Sequence, residues 1–416
     1  MRLYIDPGTG SMLFTVLIGV LGAAIYSLRA LLLKIRFRLS GGKAEINEKR
    51  LPFVIFSDDK RYWSVFEPVC RELDRRGQDV VYMTASEDDP ALESKYEHIK
   101  AQFIGKDNKA FAKLNFIRAD ILLSTTPGLD VYQWKRSKDV GCYVHMLHAA
   151  GEVTMYRMFG IDYYDAVLLS GEYQIQDIRN LEKLRGLPSK ELELIGIPYM
   201  DEMLARYRQK GPAPEHERTV LLAPSWGKSA ILSKYGGKII EVLLKTGYHV
   251  IVRPHPQSFK SEKEMLEKLM KEYPESEQLE WNSDRDNFEV LRRSDILISD
   301  FSGVIFDFSL VYDKPIIYTD PNFDLSVYDA WWLDTPLWTL SALPRLGCEL
   351  TEESIPKLKE LIDRCIEDPS YSESRHQVKA EAWVYEGEGA VRAAEWLMKK
   401  HEQVKKKEEG VHNVVS

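Results

Sequence analysis

Short apolar segments alternate with helix-like segments along most of this chain, in two successive sets. The apolar segments of the first set are Leu51–Ser57, Asp79–Thr84, 98–104, 120–126, 140–147, Asp165–Ser170 and Glu193–Ile197. Those of the second set are Thr219–Trp226, His249–Arg253, Asp295–Ser299 and Pro315–Thr319. Such runs are typical of buried parallel strands joined by right-handed crossovers. The pattern predicts an α/β protein with two doubly wound, Rossmann-like domains that face a cleft.

The boundaries of these domains follow from the segments between the strands. A polar stretch with two prolines, Arg206–Arg218, separates the two sets and predicts a linker. We therefore expect one domain over 41–210, a second over 211–400 and a flexible tail over 401–416. The last helical patterns, Ser354–Ile366 and Arg375–His401, are expected to pack on the second domain.

Composition excludes several classes of protein. The chain has 416 residues, 44% of them hydrophobic, and a net charge of −8, which together exclude a mostly disordered chain. The acidic balance also argues against nucleic acid as a partner. The four cysteines are widely spaced and form no CxxC pair, so neither a structural zinc site nor a disulfide scaffold is expected.

The first forty residues have a composition of their own. Ser11–Leu28 carries no charge, and seven basic residues follow within 29–50. A membrane-spanning helix needs roughly 20 apolar residues, and cytoplasmic flanks are enriched in Lys and Arg. We predict a single-span anchor over 1–40 with the following domains in the cytoplasm. A cleaved signal peptide and a buried core helix are the alternatives, but in a signal peptide the charges precede the apolar run.

Two loops of the second set carry residues suited to a phosphorylated ligand. Ser299–Val304 (SDFSGV) follows a strand, where Ser302 would cap a helix and Gly303 would admit a diphosphate to the helix start. The alternative is an ordinary capped helix. Asp307 could contact a ribose hydroxyl or pair locally.

The other loop is Arg253–Pro256 (RPHP), in which two prolines fix the backbone around His255. An imidazole beside a guanidinium suits an anionic ligand or proton delivery to a leaving phosphate, and the alternative is a structural histidine. Lys228 could contact a phosphate as a point charge, although its surroundings do not match a Walker motif.

One loop of the first set carries a potential base. His148 follows a strand and precedes two alanines and a glycine, which leave room for a substrate. We predict that it acts as general base on an acceptor hydroxyl. His145 is three residues earlier and is interpreted as a core residue, because no neighbouring ligand pattern supports a metal pair. No metal site is predicted.

Together the segments DILISDFSGVIFDFSLVYDKPIIY, HVIVRPHP and LLAPSW and the His148 loop resemble the CDP-glycerol glycerophosphotransferase family, which includes teichoic acid primases and polymerases. The resemblance covers roughly residues 50–395 and is strongest in residues 249–318. It implies a GT-B-like fold with an acceptor domain followed by a donor domain. It also implies transfer of glycerol phosphate, or a related polyol phosphate, from a CDP-linked donor to a lipid-linked hydroxyl with release of CMP.

The resemblance assigns roles to individual residues. His148 would be the base, and His255 and Arg253 would contact the donor phosphates. Ser302 and Gly303 would hold the diphosphate, and Asp300, which belongs to the same donor phosphate site, would shape that loop. At the first loop, Leu147–Gly151 (LHAAG) stands where the family typically shows Trp-His-Gly-Thr-Pro.

Further expectations concern cofactors, location and alternatives. The sequence requires no cofactor and leaves room for Mg²⁺. The expected partners are a CDP-polyol, a membrane-bound acceptor and the membrane itself, and the expected location is the bacterial cell membrane. Two alternatives remain open: a nucleotide-sugar glycosyltransferase or epimerase of the same fold, and an inactive membrane-bound scaffold in envelope assembly.

Overall fold

Two parallel β-sheets organise the part of the chain that the computed structural model describes, which is residues 50–284, 286–300, 302–319 and 324–415. Both sheets belong to one compact unit that begins at Leu51. The predicted pair of parallel-sheet α/β domains is thereby confirmed. The predicted anchor over 1–40 lies outside the described residues. Within the described ranges, no helix is both long enough and apolar enough to cross a membrane.

The first sheet has seven strands in the order β3-β2-β1-β4-β5-β6-β7. They are β1 (Leu51–Ser57), β2 (Val80–Thr84), β3 (Ile99–Phe103), β4 (Ala119–Ser124), β5 (Val140–Met146), β6 (Ala166–Leu169) and β7 (Glu191–Leu194). The central strand β4 is buried along its whole length, including its polar residues Asp120 and Ser124. The strand order reverses between β1 and β4, where ligands bind in sheets of this kind.

The second sheet has six strands in the order β10-β9-β8-β11-β12-β13. They are β8 (Thr219–Leu222), β9 (His249–Val252), β10 (Leu279–Trp281), β11 (Ile296–Ser299), β12 (Ile316–Tyr318) and β13 (Gly347–Glu349). The reversal lies between β8 and β11. We call β1–β7 with their crossovers the first lobe, and β8–β13 with theirs the second lobe.

The α-helices of the described residues connect and cover the strands. Those up to the second sheet are Trp63–Arg75, Asn108–Leu114, Tyr173–Arg185 and Pro198–Lys210. Those of the second lobe are Ile231–Tyr235, Gly237–Leu244, Ser258–Ser261, Lys263–Glu272, Phe288–Arg292, Val304–Phe306, Trp338–Leu346, Leu358–Glu367 and Ser370–Ala382, and the last helix is Gly389–Val415. A π-helical turn, Asp307–Val311, extends the helix that begins at Val304. The helices Ile231–Tyr235 and Gly237–Leu244 are separated at Gly236, whose φ of 54° suits glycine.

The last helix corrects two expectations. Ala393, Ala394 and Leu397 pack in the same apolar cluster as the first sheet, so this helix does not pack on the second domain as predicted. His401 is buried, with its ring centroid 4.8 Å from that of Phe53. The helix runs to Val415, so the predicted flexible tail over 401–416 begins inside it. The apolar face of this helix covers the first lobe.

A helix occupies part of the predicted linker. Pro198–Lys210 extends through the first five residues of the predicted linker over 206–218, and Met200 and Met203 pack with residues of the second lobe. The Asp201 carboxylate accepts hydrogen bonds from Trp383 Nε1 and from the backbone N–H groups of Gly387 and Gly389. This carboxylate therefore joins the two chain segments that pass between the lobes.

Candidate functional site

A cavity of about 310 Å³ lies between the lobes at the carboxyl ends of both sheets. The first lobe lines it with the loop after β5, from Leu147 to Glu152. The second lobe lines it with Ser302 and Gly303 and with one face of the helix Trp338–Leu346. The structure thus brings together the predicted base and the predicted diphosphate loop, which are more than 150 residues apart in sequence.

His148 is held by two neighbouring loops of the first lobe. Its Nδ1 lies 3.1 Å from Thr125 Oγ1, in the loop after β4. Its ring meets the Tyr62 ring edge-on, with 5.2 Å between centroids. Burial, and then the positive charge of Arg61, lowers the pKa of His148 to about 4. The imidazole is therefore neutral near pH 7 and able to accept a proton.

Ser302 and Gly303 face the His148 loop across the cavity. A Cβ added to Gly303 would lie 4.0 Å from the Ala149 Cβ, so the two loops are close. The prediction that the Ser302 side chain caps the helix is wrong: the helix begins at Val304, its N-cap residue is Gly303, and no side chain caps it. The amino end of this helix nevertheless opens onto the cavity.

His255 lies on the second lobe outside the lining of this cavity. Its Nδ1 accepts a hydrogen bond from the Gln257 backbone N–H at 3.1 Å, which leaves the proton of the neutral ring on Nε2. Burial lowers its pKa, and Arg61 of the first lobe adds to the effect. A neutral imidazole with a fixed Nε2–H suits hydrogen-bond donation to a phosphate oxygen better than proton delivery.

The Arg253 and Asp300 side chains form hydrogen bonds to neighbouring loops and do not line the cavity. The Arg253 guanidinium donates to the Asn282 side chain and to the Asp284 carbonyl. Asp300 is fully buried and accepts from the backbone N–H groups of Ser225 and Ile231. This geometry supports the predicted loop-shaping role of Asp300, and the assignment of Asp300 and Arg253 to the donor phosphate site stays a prediction.

Asp307 and Lys228 also lie away from the cavity lining. Asp307 is buried and hydrogen-bonded to the Tyr199 hydroxyl of the helix Pro198–Lys210, and burial raises its pKa to about 6. This is the local pairing that the sequence left open, rather than an exposed ribose contact. Lys228 is exposed and lines a separate surface depression with Trp226 and Glu262.

Sequence reasoning missed several residues of the site. Thr125 follows β4 and Tyr62 follows β1, so both stand at carboxyl ends of strands beside the switch point, which is the signal that could have found them. Glu152 accepts hydrogen bonds from the backbone N–H and hydroxyl of Thr339, so it ties the lobes together at the cavity wall. Burial raises the Glu152 pKa.

His145 behaves as a core residue. It is fully buried, with Nε2 3.0 Å from the Tyr156 hydroxyl, and burial lowers its pKa to about 3. Among the described residues, no group of three or more His, Cys, Asp or Glu side chains is arranged to hold a metal ion. The expectations about cofactors and Mg²⁺ stay predictions.

Comparison with known proteins gives one family and several similar folds. A family model described as CDP-Glycerol:Poly(glycerophosphate) glycerophosphotransferase matches residues 163–392, which is more than half of the chain. The matched range includes the loops of His255 and Ser302 and begins after His148. No curated protein matches the sequence significantly.

Solved structures share the fold. A structure of the wall teichoic acid polymerase TagF with CDPG has a TM-score of 0.55 at 15% identity and covers 91% of this chain and 98% of that chain. The UDP-N-acetylglucosamine 2-epimerase from Rickettsia bellii has a TM-score of 0.54 at 13% identity, and the match covers 86% of this chain and 98% of that chain. The Neisseria meningitidis UDP-GlcNAc 2-epimerase bound to UDP-GlcNAc has a TM-score of 0.52 at 14% identity, and the match covers 84% of this chain and 100% of that chain. At these identities the likeness concerns the fold alone.

Proposed function

Because the chain belongs to the CDP-glycerol:poly(glycerophosphate) glycerophosphotransferase family, we propose that it transfers glycerol phosphate, or a related polyol phosphate, from a CDP-linked donor to a hydroxyl of a lipid-linked envelope acceptor, releasing CMP. The family resemblance in the sequence is thereby confirmed, and the chain is an enzyme of the glycerophosphotransferase type. The observation that carries the finer proposal is the cavity in which His148 of the first lobe faces Ser302 and Gly303 of the second.

The donor side of the proposal uses the second lobe. The backbone N–H groups at the start of the helix Val304–Phe306 would receive diphosphate oxygens. His255 would add a hydrogen bond from Nε2, since its Nδ1 is already occupied by Gln257. Arg253 and Asp300 would act indirectly by holding the neighbouring loops in place.

The acceptor side uses His148. With Thr125 Oγ1 accepting from Nδ1–H, the Nε2 lone pair is the basic position of the ring. The acceptor hydroxyl would give its proton to Nε2 while its oxygen attacks the glycerol-bearing phosphorus in line. The bond from that phosphorus to the bridging oxygen breaks, and CMP leaves with the electron pair. Apolar side chains such as Leu147, Leu340 and Leu343 would exclude water from this step.

The location is part of the proposal. The apolar run Ser11–Leu28 followed by a basic stretch supports a single-span anchor with the catalytic lobes on the cytoplasmic side of the bacterial cell membrane. Such an anchor would keep the cavity near an acceptor confined to the bilayer. Basic residues after the span would favour anionic lipid head groups.

The test is CMP release by the purified full-length protein with CDP-glycerol, CDP-ribitol and a UDP-sugar offered in parallel with a bacterial lipid extract. We expect CMP from one CDP-polyol, only when the extract is present. UDP release from the sugar would instead support the glycosyltransferase or epimerase alternative. Saturable binding of CDP-polyol without release from any donor would support the inactive scaffold.

A further inference from the structure

The cavity has a charge imbalance that the predicted site residues do not correct. A CDP-linked donor brings two phosphates, and charge builds on their oxygens as the leaving group departs. Both His148 and His255 are held neutral by burial. Among the described residues that line the cavity, none is lysine or arginine. The cations expected from sequence are also placed elsewhere, since Arg253 is bonded to the Asn282 and Asp284 loop.

One guanidinium lies near both histidines. Arg61 stands in the loop after β1, and it is the same positive charge that lowers the pKa of His148 on the first lobe and of His255 on the second. Its guanidinium carbon is 5.7 Å from the centroid of the Tyr62 ring, and that ring packs edge-on against His148. Arg61 therefore lies beside the Tyr62 ring that packs on His148, and its charge also acts on the His255 loop of the second lobe.

The Arg61 guanidinium is also oriented for a ligand. Its Nε donates to Asp59 Oδ1 at 3.0 Å, and the same carboxylate accepts from the Arg61 backbone N–H at 2.9 Å. Within the described part of the chain, the terminal Nη1 and Nη2 atoms make no hydrogen bond. The side chain is 51% exposed, so a phosphate can reach these two donors. Paired terminal nitrogens match the bidentate geometry in which arginine binds phosphate.

From this cluster we propose that Arg61 is a further catalytic residue, which binds the phosphate that is transferred and compensates its charge between His148 and His255. The inference rests on the proposed function, because it assigns a group to the same reaction. Arg61 would approach from the first lobe, whereas the helix start at Gly303 and the His255 loop hold the donor from the second lobe. The transferred phosphate would thus be held by both lobes at once.

The test compares Arg61→Gln with the matched control Lys60→Gln. Lys60 is the adjacent residue and its replacement removes the same charge, but its ammonium pairs with the exposed Asp88. In the CMP-release assay we expect Arg61→Gln to lower kcat/KM by about 100-fold or more, the usual scale for losing a preorganised donor to a developing charge. Lys60→Gln should stay within about threefold of the wild type, since exposed ion pairs contribute little.

Two further readouts separate phosphate contact from a structural role. Guanidinium ion added to Arg61→Ala should restore part of the activity, whereas the same concentration of sodium chloride should not. Removing the positive charge should also raise the pKa of His148 and shift the acidic limb of the pH–rate profile to higher pH. Besides Arg61, Tyr62 and His145 face His148, and the carboxylates of Asp58 and Asp59 act on Arg61 and Tyr62; all four groups remain in the variant.

The outcomes distinguish this inference from the proposed function. Arg61→Gln with activity equal to Lys60→Gln overturns the inference and leaves the proposed function intact. If the wild type releases no CMP, the proposed function fails, and the inference is read from equilibrium binding of CDP-glycerol. Binding that is about tenfold weaker in Arg61→Gln than in Lys60→Gln then supports the phosphate contact, and equal or absent binding overturns it.

Discussion

Burial sets the protonation state of the histidines at the cleft. It holds the pKa of His148 down to about 4 and lowers that of His255, so both rings are neutral near pH 7. Their hydrogen bonds then separate their roles. His148 contacts a hydroxyl, Thr125, which can accept from Nδ1–H and leave Nε2 basic. His255 accepts at Nδ1 from a backbone N–H, so its Nε2 donates.

Replacement of His148 by alanine tests the base directly. We expect turnover to fall by about 10²–10⁴-fold, the range for loss of a general base, with donor affinity nearly unchanged because the base acts on the acceptor. CMP release and calorimetric binding of CDP-glycerol are the measurements. His376→Ala is the control, since that side chain is 65% exposed on a helix of the second lobe. Undiminished turnover would remove His148 from the mechanism.

At the residue level, the sequence predicted the parts of the site that lie in strong local patterns. His148, Ser302 and Gly303 follow strands whose apolar runs are unmistakable, and the structure places all three at one cavity. Thr125 and Arg61 were missed because their positions depend on how β1 and β4 pair, which no local pattern reveals. The hydrogen-bond partners of Arg253 and Asp300 could not be identified from sequence, because they come from other loops.

Among the elements, the short segment Leu325–Trp332 belongs to the second half of the chain but docks on the first lobe. Asp329 is fully buried and accepts from the backbone N–H groups of Phe159 and Gly160 at 2.7 and 3.1 Å. Arg185, also buried, donates to Asp329 and to Asp162. Because Tyr328 lines the cavity, this ion-pair network also holds one wall of the site.

Asp329→Ala should therefore be strongly destabilising. It leaves the buried Arg185 with one carboxylate fewer and two backbone donors without an acceptor, and breaking such a pair costs about 3–5 kcal/mol. Urea unfolding followed by tryptophan fluorescence measures the loss. In the control Glu267→Ala, the pair with Lys263 is well exposed, so a loss of only about 0–1 kcal/mol is expected. Equal losses of unfolding free energy in both variants would show that the buried network stabilises the fold no more than an exposed ion pair does.

The packing of the last helix on the first lobe gives a second prediction about stability. Leu397 is 1% exposed and packs with the apolar cluster of the first sheet. Leu397→Ala should lower the free energy of unfolding by about 2–5 kcal/mol through the cavity it leaves. Glu402→Ala, at an exposed position of the same helix, should change it by no more than about 0.5 kcal/mol. A neutral Leu397→Ala would contradict the packing of this helix on the first lobe.

Strands and helices were missed where the element is short or where its pattern of apolar and polar residues is weak. The strands β10 (LEW) and β13 (GCE) have three residues each, and a glutamate in each interrupts the apolar pattern. The helix Pro198–Lys210 was partly taken for linker because its exposed face is strongly polar. Longer buried strands, such as β1 and β4, were predicted because both of their faces are covered.

In the whole molecule, the cavity proposed as the reaction site belongs to neither lobe alone. The first lobe supplies His148 and the second supplies the start of the helix at Val304, and Glu152 with Thr339 connects them beside the cavity. A transferase benefits from such a division, because donor and acceptor can be held by different lobes and brought into line. The fold shared with TagF and the epimerases allows this arrangement, while the residues of the cavity decide the chemistry.

The proposed anchor gives a prediction for the full chain. Deleting residues 1–40 should release the protein from sedimented membranes, because the removed part contains the apolar run Ser11–Leu28. The truncated protein should still bind CDP-glycerol, whose proposed site lies in the second lobe. Fractionation of cells that express each form, followed by immunoblotting, is the measurement. A truncated form that still sediments with membranes would show a further attachment.

The proposed function depends on transfer of a glycerol phosphate unit onto a lipid-linked hydroxyl. The most direct measurement supplies CDP-glycerol labelled in the glycerol, together with a bacterial lipid extract, and follows label in the organic phase and CMP in the aqueous phase. We expect both to rise together in equal amounts, and His148→Ala to lower both by about 10²–10⁴-fold. CMP without label in the lipid fraction, or label transfer undiminished in His148→Ala, would contradict the proposed function.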